Sequence, residues 1–402
     1  MSSRRLPVFF ALLATIAVSA CSSDDSANPA TVAPTTLSPI TEAPTTETVD
    51  PAVEAMMYTE AGPYPVGVTT LELAAGNKVE VWYPAVEGTT GAEFYDTRDF
   101  VPPAIKALLT ADVPARYDYT AGRDAVVADG QFPIVLFSHG YSGIRLQSTF
   151  LTAHLASWGM IVAAPDHWSR DLFHVLSAPV GDRESATGEL LGTLDLVTSG
   201  DDDPASLLQG HVDVSRVIAL GHSAGGGTIV SAANDDRIDG YISMASGVLG
   251  MGSANATTTA PPTFVNKPSF FIAGALDAII SAEESTRPSF EAVPGPSRLW
   301  IIDGVGHNGF DDFCTFGNGS GIIGVALASG LGPLLDAQPQ LKTLGQDGCI
   351  PPAEPVELGF PIIKHAVTAQ LRFWFGDDAT PVGLDSSVSD QYALAVSIDS
   401  KD

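Results

Sequence analysis

The sequence predicts an α/β fold in which a mostly parallel β-sheet is covered by helices on both faces. The first observation is that apolar runs recur along the chain, and residues 133–137 form the clearest of them. A continuous apolar run is typical of a strand that is buried on both sides. The second observation is that segments of helix-like composition separate these runs. Strands that alternate with helices favour a parallel sheet clothed on both faces.

The individual elements are predicted in order along the chain. Strands at residues 66–73 and 78–83 are joined by a turn that contains Gly76 and Asn77. Further strands are predicted at residues 133–137, 161–164, 217–220, 238–244, 270–273 and 299–302, with helices between them at residues 146–158, 184–197 and 224–233. In sheets of this kind functional groups gather at the carboxyl ends of the strands, so the residues that follow each strand are the ones to inspect for chemistry.

The composition sets limits on what the protein can be. A chain of 402 residues with 45 % apolar residues can bury a large core. The formal net charge of −28 excludes nucleic-acid binding, because that binding depends on basic patches. We find neither a phosphate-binding glycine motif nor metal-ligand spacing, so we expect no cofactor and no metal. The acidic run 201–203 is interpreted as a solvated loop, with a calcium site as the alternative.

The N-terminus predicts export. Arg4 and Arg5 precede an apolar run, residues 6–18, that is too short to span a membrane comfortably, so residues 1–20 are interpreted as a signal peptide. The tetrapeptide 18–21 resembles the lipobox of bacterial lipoproteins, which predicts lipidation of Cys21 and attachment to the membrane at the cell surface or periplasmic face. An ordinary signal peptide is the alternative. The Ser-, Thr- and Pro-rich remainder of 21–57 predicts a disordered tether.

The cysteines allow one disulfide under this interpretation. If Cys21 carries lipid, Cys314 and Cys349 remain as the pair in an oxidising compartment, and we predict that they are bonded. Closing a loop of this length contributes about 4 kcal/mol in the chain-entropy model. Two free buried thiols are the alternative. The folded body is predicted to span 58–378, followed by a C-terminal extension, 379–402.

A candidate nucleophile lies between a predicted strand and the next helix. The strand 217–220 runs into Gly221-His222-Ser223-Ala224-Gly225, a G-x-S-x-G motif in the strand–turn–helix position that its mechanics require. The glycines permit a tight reversal that holds the Ser223 hydroxyl clear of the sheet. The helix behind it directs its N-terminal N–H groups at developing negative charge. A purely structural glycine-rich turn is the alternative.

Serine is a weak nucleophile that needs a base, which an acid must orient. His307 follows the strand 299–302 and is the predicted base, and Asp277 follows the strand 270–273 and is the predicted acid. Their order, Ser, Asp, His, is the one expected when the serine occupies this turn. Asp303, Glu283 and Glu284 are weaker candidates for the acid. The other histidines are expected to be packing or surface residues: His139, His154, His167, His174, His211, His222 and His365.

Two backbone N–H groups are expected to stabilise the oxyanion. One is that of Ala224, directly after Ser223. The other is assigned to Tyr141, in the His-Gly turn that follows the strand 133–137. The Tyr141 ring is interpreted either as a wall of the acyl pocket or as a partly exposed loop aromatic.

These segments together resemble the α/β-hydrolases related to platelet-activating-factor acetylhydrolases and dienelactone hydrolases. The resemblance covers residues 62–378 and rests on segments 62–67, 81–84, 137–140, 163–167, 213–217 and 307–313. It implies hydrolysis of carboxylic esters without a metal or cofactor, with lipid, short-acyl, small-molecule or polymeric esters as substrates. An amidase or peptidase, or a non-catalytic binding lipoprotein, is the alternative. The sequence departs from the family at 314–358, an insertion after His307 that is either a cap shaping substrate access or a packed surface excursion.

Overall fold

The computed structural model describes residues 56–177, 185–247 and 264–402. The predicted signal peptide, Cys21 and nearly all of the predicted tether lie outside these residues. Within them, β-strands make one large sheet and a separate two-stranded antiparallel sheet. The strands are β1 Val66–Glu72, β2 Lys78–Pro84, β3 Glu93–Asp96, β4 Arg116–Tyr119, β5 Gly122–Arg123, β6 Phe132–Ser138, β7 Ile161–Pro165, β8 Val212–His222, β9 Gly240–Met244, β10 Ser269–Gly274, β11 Ser297–Ile302 and β12 Val396–Lys401.

Helices connect most of these strands. They are α1 Pro103–Lys106, α2 Thr149–Ser157, α3 Leu172–Val175, α4 Ala186–Asp202, α5 Ala224–Ala232, α6 Arg287–Ala292, α7 Gly321–Ala328, α8 Gly332–Asp336, α9 Pro339–Leu344 and α10 Val356–Phe375. Shorter 3-10 segments include Thr97–Phe100 and His307–Phe310, and a π-helical turn spans Ala282–Thr286.

The large sheet has the strand order β12-β11-β10-β9-β8-β6-β7-β2-β1-β5. Its central strands from β11 to β7 are parallel, with Ile134 of β6 opposite Val217 of β8 and Ile161 of β7. The strands β2 and β12 pair antiparallel with β7 and β11. The parallel arrangement brings the carboxyl ends of β6, β8, β10 and β11 to one edge, and each of these strands ends at a predicted site loop.

The core consists of two apolar layers, one on each face of the sheet. Alternate residues of β6 separate between them: Val135 and Phe137 belong to the layer that α2 and α10 complete, while Ile134 and Leu136 belong to the layer of α4 and α5. Every residue of β6 is buried, as its unbroken apolar run predicts. The predicted α/β sheet, covered on both faces, is therefore confirmed.

Some element boundaries differ from the prediction. Helix α4 runs five residues past Val197, so Asp201 and Asp202 form its last turn and are not in a solvated loop. The predicted C-terminal extension also contributes structure, because β12 pairs along the whole of β11 and forms an edge of the sheet. The last turn of α4 is acidic and β12 alternates only weakly between apolar and polar residues. Hydrophobic periodicity alone therefore does not locate the end of α4 or the strand β12.

Two further findings concern the described residues alone. None of their helices combines the length and the apolar character that crossing a membrane requires. Among them, likewise, no three His, Cys, Asp or Glu side chains are grouped closely enough to hold a metal ion.

Candidate active site

Ser223 stands at a sharp turn between β8 and α5. Its backbone has φ 54° and ψ −121°, a strained conformation for a residue with a side chain. A Cβ at Gly221 would clash with the backbone of Gly225, and one at Gly225 would clash with the carbonyl oxygen of Ser138. The two glycines of the motif are therefore required by the close approach of β6, β8 and α5. The turn leaves the Ser223 side chain at the carboxyl end of the sheet.

The structure joins the three predicted triad residues by hydrogen bonds. His307 Nε2 lies 2.8 Å from Ser223 Oγ, and His307 Nδ1 lies 2.8 Å from Asp277 Oδ2. All three residues are buried: Ser223 is 7 % exposed, His307 1 % and Asp277 6 %. A carboxylate only accepts hydrogen bonds, so Nδ1 carries the imidazole proton and Nε2 accepts from the serine hydroxyl. This is the tautomer in which the imidazole can remove a proton from the serine.

Asp277 is fixed by its own loop. Its Oδ1 accepts the N–H groups of Ile279 and Ile280 at 2.9 and 2.7 Å, which leaves Oδ2 directed at His307. The competing carboxylates lie elsewhere: Asp303 is exposed and donates its N–H to the carbonyl of Ala395, while Glu283 and Glu284 are exposed on the π-helical turn. The acid that meets the imidazole is thus the one that the strand positions predict.

The turn after β6 passes directly beside Ser223. A Cβ at Gly140 would lie 3.1 Å from the Ser223 Cβ, so this position must remain small. Within the described part of the chain, the N–H groups of Tyr141 and Ala224 donate to no protein acceptor. Both N–H groups therefore remain candidates for binding an oxyanion. The Tyr141 side chain is 53 % exposed and also lines a cavity. Its ring is therefore a partly exposed loop aromatic that contributes to a cavity wall.

A chain of side-chain hydrogen bonds links this turn to the His307 loop. Gln147 Oε1 accepts the N–H of Gly140 at 3.3 Å, and Gln147 Nε2 donates to His222 Nδ1 at 2.8 Å. His222 Nε2 then donates to the carbonyl oxygen of His307 at 3.0 Å. Burial lowers the pKa of His222 to about 3, in keeping with the neutral ring that this pattern requires. No sequence motif distinguishes Gln147, and the expectation that His222 is a packing or surface residue omits its hydrogen bonds to Gln147 and His307.

A second buried hydrogen-bond network holds the turn that follows β6. His139 donates from Nδ1 to the Gly140 carbonyl and accepts the His167 N–H at Nε2. The Arg170 guanidinium donates to the His139 carbonyl at 2.7 Å and to Ser138 Oγ at 2.8 Å, and the Arg170 carbonyl accepts from Ser142 N. Burial lowers the pKa of His139 to about 3 and that of Arg170 to about 10. Residues 138–142 are thus held on both sides.

The insertion is tied to the triad by Asp347. Its Oδ1 accepts the His307 N–H at 2.6 Å, and its Oδ2 accepts the Ala278 N–H at 3.1 Å. One carboxylate therefore bridges the loop of the base and the loop of the acid. Burial raises the pKa of Asp347. Nothing in the local sequence distinguishes Asp347 from the other surface acids, because its partners are backbone groups brought close by the fold.

The predicted disulfide is present. Cys314 and Cys349 are bonded, with their Cα atoms 4.7 Å apart. Their bond joins the first residue of the insertion to a residue near its end. Between them lie α7, α8 and α9, which form a wall of a cavity of about 900 Å³. This arrangement favours the interpretation of the insertion as a cap.

The nucleophile turn and the hydrogen-bonded Ser, His and Asp, on a mostly parallel sheet, define a hydrolase of the α/β-hydrolase fold. Residues 121–328, just over half of the chain, match the family model described as PETase, PET hydrolase-like. The chain belongs to this PET hydrolase-like family.

Two curated relatives are similar to the chain. Cutinase est2 of Thermobifida alba is 24 % identical over 176 residues, which are 43 % of this chain and 52 % of the cutinase. The platelet-activating factor acetylhydrolase of Cavia porcellus is 24 % identical over 323 residues, 66 % of this chain and 71 % of that protein. The chain thus spans about half the length of the cutinase. The second of these names agrees with the resemblance to platelet-activating-factor acetylhydrolases.

Proposed function

We propose that the protein hydrolyses carboxylic esters through an acyl-enzyme on Ser223. The observation that carries the proposal is the unbroken line of hydrogen bonds from Asp277 through His307 to Ser223, at 2.8 Å each. In this line His307 is the general base and Asp277 holds its tautomer. The family and both relatives are named for enzymes that act on esters, which supports the same chemistry.

The reaction proceeds in two halves. Ser223 Oγ bonds to the ester carbonyl carbon while its proton passes to His307 Nε2, and the N–H groups of Tyr141 and Ala224 stabilise the oxyanion. The intermediate collapses, the ester C–O bond breaks, and His307 returns the proton to the leaving alcohol. Water then attacks the acyl-enzyme with His307 again as base, which releases the acid and restores Ser223. No metal or organic cofactor takes part in these steps.

The test combines turnover with covalent labelling. We expect the protein to hydrolyse p-nitrophenyl acetate and to be labelled by an organophosphate at Ser223. Ser223→Ala should keep its fold and lose about a thousandfold or more in kcat. Ser231→Ala is the matched control, because Ser231 lies exposed on α5 and its hydroxyl donates to the Gly227 carbonyl of the same helix. A folded wild-type protein that is inert in both assays would refute the proposal. Faster turnover of p-nitroanilides than of matched esters would favour the amidase alternative.

We further propose that the enzyme is exported and anchored by lipid on Cys21. The supporting features are the basic residues and apolar run of 1–20, the lipobox-like tetrapeptide 18–21 and the Ser-, Thr- and Pro-rich segment that follows. Incorporation of an alkyne-labelled fatty acid in a bacterial host should occur in the full chain and vanish in Cys21→Ser. Equal labelling of the two proteins, or a soluble unlabelled wild type, would overturn this proposal.

A further inference from the structure

The cavity beside the active site is large and apolar. Its volume of about 900 Å³ is at the upper end of the range for pockets that bind small molecules, and it far exceeds what an acetyl group needs. Among the described residues that line it, none is charged. Most are aliphatic, and they include Val101, Ile105, Leu172, Ile323, Leu335 and Leu344. A phosphate or ammonium headgroup would find no counter-charge here, whereas a hydrocarbon chain would lose its contact with water.

The cavity adjoins the loops of the candidate active site. Tyr141 and Ser142 of the oxyanion turn line it, and so does Asn308, which directly follows His307. Ile279, whose N–H holds the Asp277 carboxylate, lines it as well. Three of the loops that carry the predicted catalytic groups therefore also line the cavity.

The walls of the cavity are held in place. The insertion forms one wall, and residues 97–109 form another. Hydrogen bonds join the insertion to the residues that directly follow the second wall: Gly317 N donates to the Pro114 carbonyl at 2.8 Å, and Thr110 N donates to Ser329 Oγ at 2.9 Å. The disulfide closes the base of the insertion. A cavity that is formed before the ligand arrives loses little ordering entropy on binding.

Building on the proposed function, we propose that this cavity binds the acyl chain of the substrate, and that the natural substrates are esters of medium-to-long aliphatic acids. The acyl group stays on Ser223 from the first half of the reaction to the second, whereas the alcohol must receive a proton from His307 and leave. A deep apolar cavity suits the part of the substrate that remains bound. The short-acyl preference expected of some acetylhydrolase-like members is therefore not assigned to this chain.

The experiment measures kcat/KM along two ester series. In p-nitrophenyl esters from acetate to laurate, we expect kcat/KM to rise about tenfold or more by octanoate, since each buried methylene strengthens binding. Acetate esters with alcohols of increasing length should show no such rise. Ala326→Trp, which fills the cavity from α7, should lower the laurate-to-acetate ratio about tenfold. Ala328→Trp is the matched control, because Ala328 is exposed on the same helix and does not line the cavity.

The outcomes separate the two proposals. Absence of acetate hydrolysis and of organophosphate labelling would refute the esterase itself. Acetate hydrolysis with a flat acyl series, or a rise that follows the alcohol instead, would overturn the cavity assignment alone. If Ala326→Trp also loses acetate turnover, Leu334→Asp serves as a second variant, because Leu334 is half exposed and lines the cavity. An unchanged laurate-to-acetate ratio in that variant would count against the proposal.

Discussion

The disulfide of the insertion offers the sharpest prediction of stability. The double substitution Cys314→Ser and Cys349→Ser opens a loop whose ends are 35 residues apart in sequence. In the chain-entropy model, a bridge of that span restricts the unfolded chain by about 4 kcal/mol at 25 °C. Cys314 is buried and Cys349 is half-buried, and a Cβ at Gly321 would lie 2.9 Å from Cys349 Sγ. The serine replacements are nearly isosteric, so most of the loss should come from the unfolded state.

The assay is urea unfolding followed by circular dichroism and tryptophan fluorescence. The double variant should unfold at a lower urea concentration, with a free energy of unfolding about 4 kcal/mol below that of the wild type. A reductant should lower the midpoint of the wild type to that of the variant and leave the variant itself unchanged. This comparison separates the contribution of the disulfide to stability from any effect of the two serine side chains.

Two results would refute the reasoning. A loss of less than about 1 kcal/mol would mean that the unfolded chain is not restricted as the model assumes. A midpoint that stays constant in the wild type under full reduction, verified by thiol titration, would mean that the bond does not contribute to global stability.

Two further predictions concern single residues. Asp347→Asn should lower the free energy of unfolding by about 1–3 kcal/mol and kcat for p-nitrophenyl acetate by about tenfold. The reason is that the amide oxygen can replace only one of the two carboxylate oxygens that accept from His307 N and Ala278 N. Wild-type values in both measurements would contradict the bridging role of Asp347. His154 is buried, and burial lowers its pKa to about 3. Below pH 6.5 a proton therefore binds this histidine in the unfolded chain but not in the folded one, so the free energy of unfolding decreases as the pH is lowered. Between pH 7 and pH 5 the wild type should lose about 2 kcal/mol more than His154→Gln in urea unfolding, and parallel pH profiles would contradict this.

The parts of the fold that could be predicted are those that local chemistry determines. The run around Ile134 and Leu136 is apolar because both sides of β6 are covered, and this makes the strand visible in the sequence. Ser223 is recognisable because its glycines are required at fixed offsets. Asp277 and His307 could be assigned because parallel strands bring their loops to one edge of the sheet.

The groups that support the site could not be predicted in this way. Gln147, His222 and Asp347 act mostly on backbone N–H and carbonyl groups that are distant in sequence. Any polar residue type can make such bonds, so no residue pattern marks them. The cavity was likewise hidden, because its walls come from the insertion and from residues 97–109, which meet only in the folded chain.

The bridge made by Asp347 limits how this enzyme can admit its substrate. A cap that swings away as a rigid flap would pull on the backbone of both His307 and Ala278, and would disassemble the reaction centre at the moment of entry. The reaction centre stays assembled only if substrate entry leaves residues 345–349 in place. Anyone who trims or transplants this cap to change selectivity should therefore cut within 321–344 and keep the acid and the cystine together as one unit.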